Sequence, residues 1–399
     1  MMNTNTVVLL LSLLLGIQPV TTDLYLPALP ALTADLQASV AQTQLTFTGL
    51  LLAFGVSQLV WGPVSDRWGR RPVLLAGSIA YVVAALGATA APNIESLIAW
   101  RTLQGAAMGA AVMCARAIVR DLYNPVDGAR AMSRGLTGLG VIACVCAPLG
   151  GLLSDLFDWR AALLALAIFG AVTLAVVALR FKESLVTRNP QALQVRSLAA
   201  SWMHILRNPC FLAQTSLATA AYGGLFTFLA ASSFVFIEVL GYSKTSFGLW
   251  MASMPIAYIV GTFWCRRMLP RLGPQRSVAV AAGVTLAGGT LMGVLGLAGV
   301  RHGAAIMIPF YLYMIAHGVH QPCSQSGAVA PFPTMAGTAS ALSGFAMMLA
   351  AFGIGAWLGV RIDGTVLPLT NGVWLFSVLI ALAAWGPVRW FGEARGASA

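Results

Sequence analysis

The chain has 399 residues, 58% of them hydrophobic and 9% charged, with a net charge of +11. A soluble globular domain carries roughly 25% charged residues, so this composition excludes a soluble protein and indicates an integral membrane one. The positive charge is no nucleic-acid footprint either, because no basic-aromatic groove is visible and the arginines lie between apolar runs.

A membrane helix needs about 20 apolar residues. Twelve candidate spans meet that need, at 5–28, 41–62, 73–91, 95–118, 131–153, 160–180, 210–237, 246–268, 277–299, 304–330, 335–360 and 370–391. The expected fold is an all-α membrane protein of twelve helices in two six-helix halves, 1–180 and 209–399, joined by a linker at 181–208. Span 1 lacks a basic start and a small-residue cleavage site, so it reads as an uncleaved helix, not a signal peptide. It carries Asp23, the only acid placed at membrane depth, Glu95 standing at the edge of span 4. A carboxylate in hydrocarbon costs several kcal/mol, so such residues usually face a bundle interior and serve ion or proton traffic.

Between spans 2 and 3 stands Gly62-Pro63-Val64-Ser65-Asp66-Arg67-Trp68-Gly69-Arg70-Arg71-Pro72. Gly62 and Gly69 permit close helix approach and a sharp turn. Asp66 suits a helix N-terminus, and Arg67, Arg70 and Arg71 suit acids at other helix ends, such as Asp121. A lock of this kind holds one face of a bundle closed; the plain alternative is ordinary topological charge. Span 4 carries Arg101-Thr102-Leu103-Gln104-Gly105. Counted along their helices, Asp23 lies about 27 Å into span 1 and Arg101 about 9 Å into span 4 from the opposite side. Both fall in the outer half, which predicts an Asp23–Arg101 pair, with a permanent structural ion pair as the alternative to a titrating one. Arg116, about 22 Å along the same helix from Arg101, either snorkels to the interface or meets substrate in a cavity. Span 5 carries Pro148-Leu149-Gly150-Gly151, with Gly135, Gly138 and Gly140 upstream.

The linker holds Asn189-Pro190 and Asn208-Pro209 and divides the chain in two. The turn after span 8, Pro270-Arg271-Leu272-Gly273-Pro274-Gln275-Arg276, echoes the one after span 2. Aligning Gly69 with Gly273 offsets the halves by 204 residues, and such internal duplication is common among secondary transporters. The echo is degraded: Thr227 stands at the equivalent of Asp23 and Ala305 at that of Arg101. In span 7 and its neighbour, Tyr222, Phe226, Phe228, Phe234 and Trp250 form either an apolar substrate wall or simple packing. In span 10, His317, Gln321, Ser324 and Gln325 share a helical face that is expected to line a cavity. His317 or His320 titrates near neutral pH or is a neutral histidine bonded inside the bundle. All six cysteines fall in spans as small packing residues, with no metal spacing. Seventeen basic residues follow even-numbered spans and four lie on the other side (Arg160, Lys244, Arg301, Arg361). The positive-inside rule then puts both termini in the cytoplasm.

The loop from Gly62 to Pro72 resembles the signature loop of the major facilitator superfamily. Arg101-Thr102-Leu103-Gln104-Gly105 is similar to its span-4 motif, and Pro148-Leu149-Gly150-Gly151 to its span-5 antiporter motif. That motif usually reads Gly-Pro-x-x-Gly-Gly; here Ala147 replaces the first Gly and one residue is missing before the pair. Asp23-Leu24-Tyr25-Leu26-Pro27-Ala28-Leu29-Pro30, the stretch from Ala115 to Tyr123, and Ala328-Val329-Ala330-Pro331-Phe332-Pro333 resemble the Bcr/CflA subgroup of twelve-span drug–proton antiporters. Some related exporters carry a second span-1 acid one or two turns earlier, where this chain has Leu13-Leu14-Leu15-Gly16.

The resemblance implies a bacterial inner-membrane transporter, not an enzyme, that needs no cofactor or metal. It implies export of small amphipathic drugs of the chloramphenicol or bicyclomycin kind in exchange for protons, by a monomer. Its partners are substrate, protons and the lipid bilayer, with no nucleic acid. In that reading Asp23 and Arg101 couple protons. Tyr25, Gln104, Arg116, Tyr222, Phe226, His317, Gln321 and Gln325 line the substrate cavity. Gly62, Asp66, Arg67, Gly69, Arg70, Arg71 and Asp121 form the cytoplasmic gate, and Gly140, Pro148, Gly150 and Gly151 the antiporter motif. The alternative on the same fold is export of an endogenous siderophore, peptide or nucleoside.

Overall fold

A computed structural model of the chain describes residues 4–123, 125–186, 188, 192–332 and 335–392. Asn189-Pro190 of the linker and Pro333 of the last motif lie outside the described residues. Among those described there is no strand. Eleven helices are long and apolar enough to cross a membrane. One of them, Lys244–Leu297, is two spans joined at Gly273, whose φ of 73° interrupts the helical run. Counted so, the spans are the twelve that hydropathy places.

The helices in order are α1 (Thr4–Asp23), α2 (Leu29–Asp35), α3 (Val40–Trp68), α4 (Arg70–Thr89), α5 (Ile94–Leu122), α6 (Pro125–Leu156), α7 (Trp159–Arg180), α8 (Val195–Leu206), α9 (Pro209–Ser233), α10 (Lys244–Leu297), α11 (Gly303–Val329), α12 (Ala336–Arg361), α13 (Leu367–Trp385) and α14 (Pro387–Phe391). Their starts follow capping chemistry. Ser39 and Gln42 form a reciprocal capping box at α3, Asn93 caps α5, Asp158 caps α7, and Asn208 before Pro209 caps α9. In each, a side-chain oxygen accepts from a backbone N–H that the first turn leaves without a partner.

Several elements differ from the sequence expectation, span 1 among them: expected to run to residue 28, it ends as α1 at Asp23. Span 2 is expected to stop before Pro63, yet α3 runs through it to Trp68. A proline removes one backbone hydrogen bond, which a packed membrane helix tolerates, and the helix ends instead at Gly69, whose φ is 104°. Gly273 has φ 73°, so the two glycines aligned by the internal echo both turn the chain through a region that disfavours a side chain. Span 7 is longer than expected: a π-helical segment, Phe234–Val239, continues α9 and carries Glu238 in its last turn.

The chain divides into two compact units. One comprises Met1–Leu198 with Ser243–Ala252, the other Ala199–Tyr242 with Ser253–Ala399. In the first, α5 packs on α3 and α4, α1 on α6, and α4 on α7. In the second, α9 is the hub and packs on α11, α12 and α13.

Candidate functional site

The first candidate region lies where span 1 breaks. Helix α1 ends at Asp23, a 3-10 turn follows at Leu26–Ala28, and α2 begins at Leu29. The prolines explain the break. Pro27 has no N–H to give the carbonyl of Asp23, four residues earlier, and Pro30 has none for Leu26. The last carbonyls of α1 therefore need other donors. Arg101 of α5 supplies one: its Nη2 donates to the Thr21 carbonyl at 3.0 Å and its Nη1 to Gln104 Oε1 at 2.6 Å. Its guanidinium carbon lies 4.1 Å from the centre of the Tyr25 ring. The Tyr25 hydroxyl is 2.7 Å from Thr46 Oγ1, and Thr21 Oγ1 is 2.6 Å from the Tyr81 hydroxyl. A cation at a helix C-terminus, over an aromatic face, is favoured twice.

This arrangement corrects the predicted Asp23–Arg101 pair. No ion pair joins them among the described residues, because the guanidinium is committed to the end of α1 and to Gln104. Asp23 is half-buried, and its carboxylate accepts from Thr22 Oγ1 at 2.8 Å. Tyr25 and Gln104, expected to line the substrate cavity, are fully buried and support Arg101 instead. Helix α6 lies against the same break. A Cβ at Gly150 would collide with the Leu24 carbonyl, whereas Gly140 has open space around it. Close approach at Leu24 is therefore what residue 150 permits. Arg116 is exposed on α5, far from Arg101.

The second region is the turn from α3 to α4. Arg70 has a side chain only 1% exposed, and donates to Asp66 Oδ1 at 2.6 Å, Asp121 Oδ2 at 2.9 Å and Ser65 Oγ at 2.6 Å. Arg120 stands 4.0 Å from Asp66. Arg67 is exposed and makes no ion pair among the described residues. Arg71 donates to the carbonyls of Phe181 and Ala178, the end of α7. Gly62 lies under Met113 of α5.

Sequence reasoning missed Glu183. Its carboxylate accepts from the backbone N–H of Arg70 at 2.9 Å and of Arg71 at 3.0 Å, which caps α4 from 113 residues away. A Cβ at position 69 would meet this carboxylate, so Gly69 serves both the turn and the cap. Ser184 donates to Asp121 at 3.1 Å and closes the ring. The signal was present: Glu183 is the only acid in the basic stretch 181–208. Replacing Glu183 by alanine is expected to cost about 1 kcal/mol or less, the worth of an exposed helix cap. Glutamine at 183 is expected to recover most of that loss. Apparent melting midpoints of the two variants check this, and equal losses would mean that the charge, not the cap, matters.

The third region is in the second unit. Tyr222 of α9, His317, Gln321 and Gln325 of α11, and Met347 of α12 surround a small recess. Tyr258 of α10 donates from its hydroxyl to Gln321 Oε1 at 2.8 Å. Phe226 is buried and stacks on Tyr222 at 6.4 Å between ring centres; it does not line the recess, and neither does Ser324. Phe228 stacks on Phe310 at 3.8 Å, a packing pair. His320 turns away: its Nε2 lies 3.0 Å from Thr285 Oγ1, which itself reaches the Ala281 carbonyl at 3.1 Å. Tyr258 and Met347 were not legible as site residues, since each depends on which helix packs beside α11.

Known proteins similar to the chain match most of its length. The family model described as Major Facilitator Superfamily matches residues 11–356. "Multidrug resistance protein D" of Escherichia coli (strain K12) is 32% identical over 339 residues, covering 84% of each chain. "Chloramphenicol resistance protein" of Pseudomonas aeruginosa is 29% identical, covering 80% of this chain and 75% of the relative. Among solved structures, a D-xylose-proton symporter superposes with a TM-score of 0.76 at 16% identity, covering 98% of each chain.

Proposed function

The chain belongs to the major facilitator superfamily, and from that premise we propose that it exports small neutral or zwitterionic drug-like molecules in exchange for protons. It is a multi-pass membrane transporter, not an enzyme, and its relatives include multidrug and antibiotic resistance proteins. In this reading it works as a monomer in a bacterial inner membrane with both termini in the cytoplasm, and the two halves alternate access to a central site.

The observation that carries the proposal is Asp23. It is a carboxylate at membrane depth, at the end of a broken helix, bonded by Thr22 alone among the described residues. Because Arg101 is committed elsewhere, Asp23 gains and loses a proton without breaking a salt bridge. Protonated and charged forms favour different partners and different states of the carrier, which is the coupling. The cluster around Arg70 acts as the cytoplasmic gate, and Gly150 lets α6 support the break.

The charge balance argues for the substrate class. Asp23 is the one acid of this region, beside the buried cation of Arg101, and a site meant for cations needs acids in excess. Expressed in a host lacking its own pumps, the protein is expected to raise the inhibitory concentration of chloramphenicol several-fold, and a protonophore to remove that protection. Ethidium is expected to gain little. Protection against ethidium alone, or protection that survives the protonophore, overturns the reading.

A further inference from the structure

We propose that Cys265 of α10 and Cys323 of α11 form a two-thiol site that binds one soft divalent cation, of the mercuric kind, in linear coordination. The proposal is independent of the export reading, because it rests on packing inside the second unit alone.

The first observation is the thiol pair. The two sulfurs lie 4.0 Å apart, although 58 residues separate them in the chain. Both thiols are free, and both are buried, Cys265 at 3% and Cys323 at 9% exposure. The second observation is how the pair is held. A Cβ at Gly261 of α10 would collide with the backbone of Ile315, and one at Gly318 of α11 with the backbone of Gly261 and Tyr258. The two helix backbones therefore touch at these glycines. Cys265 and Cys323 follow them by four and five residues, about one turn further along two helices that run the same way. Tyr258 adds a hydrogen bond to Gln321 at 2.8 Å. The third observation is Pro322, inside α11 and next to Cys323. It has no N–H for the Gly318 carbonyl, so the helix has slack where an ion needs room.

Distance, ligand number and charge select the ligand. A disulfide holds its sulfurs about 2.05 Å apart, so these two would have to close by about 2 Å. Two thiolates in line on one ion, each about 2.3 Å from it, stand about 4.6 Å apart, an opening of only about 0.6 Å. Zinc in a structural site takes four ligands, and among the described residues no group of three or more His, Cys, Asp or Glu could hold a metal ion. Thiolate is a soft ligand and selects soft ions. Each thiol gives its proton to water as its sulfur bonds to the metal. Two thiols and one divalent ion thus yield a neutral complex and two protons. A monovalent ion would leave a negative charge on the buried pair, which is costly. Cys323, the more open of the two, takes the ion first; Cys265 then closes the site and ties α10 to α11.

The test uses mercuric chloride on the purified full-length protein. A parent variant carries Cys114→Ala, Cys144→Ala, Cys146→Ala and Cys210→Ala, so that only the pair remains, and Cys265→Ala or Cys323→Ala is added to it in turn. Each is loaded with the ion, challenged with glutathione, and assayed for retained mercury after gel filtration. A second thiol already in place acts at high effective concentration, so the pair is expected to hold the ion on the order of 100-fold more tightly than either single thiol. Zinc chloride is expected to leave no retained metal. In the otherwise unaltered chain, peptide mapping by mass spectrometry is expected to find mercury bridging the peptides of Cys265 and Cys323, which keeps the test open if the parent variant folds poorly. Equal retention by the pair and by either single thiol overturns the site. So does stoichiometric zinc, a mapped disulfide between the two cysteines before the ion is added, or mercury found on Cys144 alone.

Discussion

Replacing Asp23 by asparagine is expected to abolish uphill, proton-driven export while leaving the protein folded. The two side chains have nearly the same shape, and the amide oxygen still accepts from Thr22, so the bond at 2.8 Å survives. What disappears is the second charge state. A carrier whose site holds one charge throughout the cycle gives the proton no way to bias the equilibrium between its conformations. The variant is therefore expected to exchange substrate downhill and to accumulate none against a gradient. Asp23→Glu keeps a titrating group one carbon further out and is expected to retain some coupling. Reconstituted vesicles with an imposed pH gradient measure both. Undiminished uphill transport by Asp23→Asn would place coupling elsewhere. Because Arg101 is tied to the Thr21 carbonyl, Arg101→Gln is a different kind of change: it removes the cap of α1 and moves Asp23 without touching its charge.

The largest effect on stability is expected at Arg70. Its side chain is 1% exposed and meets Asp121, 10% exposed, and Asp66, 41% exposed. Removing one member of a buried ion pair leaves the other uncompensated, which costs about 3–5 kcal/mol. Asp66 is open enough for water to take up its share, so the lower end, about 3 kcal/mol, is expected for Arg70→Ala. Lysine is expected to recover only part, because it lacks the fork that reaches both acids. Arg67→Ala is the internal control. It lies in the same motif with the same charge, but it is exposed, and a small effect is expected. Apparent melting midpoints of the three variants decide the matter. Equal losses at positions 67 and 70 would mean that net charge, not the buried cluster, stabilises this turn. A cysteine placed on the same face is expected to label faster in Arg70→Ala if the cluster is a gate.

The sequence by itself determined the properties that are local along the chain. Apolar runs of membrane length place the twelve spans, since burial of a helix in lipid depends on its own composition. Pro27 and Pro30 carry the break in span 1 by an equally local rule, a missing N–H acting on a carbonyl four residues away, but the expected span ran through it to residue 28. Gly69 and Gly273 mark the two turns with positive φ, since little but glycine enters that region without strain. Asp23 stands out for the same kind of reason: a carboxylate in a span is costly wherever the neighbours lie.

The tertiary structure alone decided who meets whom. Equal depth suggested that Arg101 pairs with Asp23, but depth leaves rotation about the helix axis free, and that rotation aims Arg101 at the Thr21 carbonyl and the Tyr25 face. Glu183 reaches the start of α4 across 113 residues, through a fold-back that no periodicity encodes. His317 and His320 are equivalent on a helical wheel to within a turn. Only the packing of α9, α10 and α12 around α11 gives one of them Thr285 and sets the other among Tyr222, Gln321 and Gln325. Hydropathy is summed along one helix, whereas a hydrogen bond depends on the angle and distance between two.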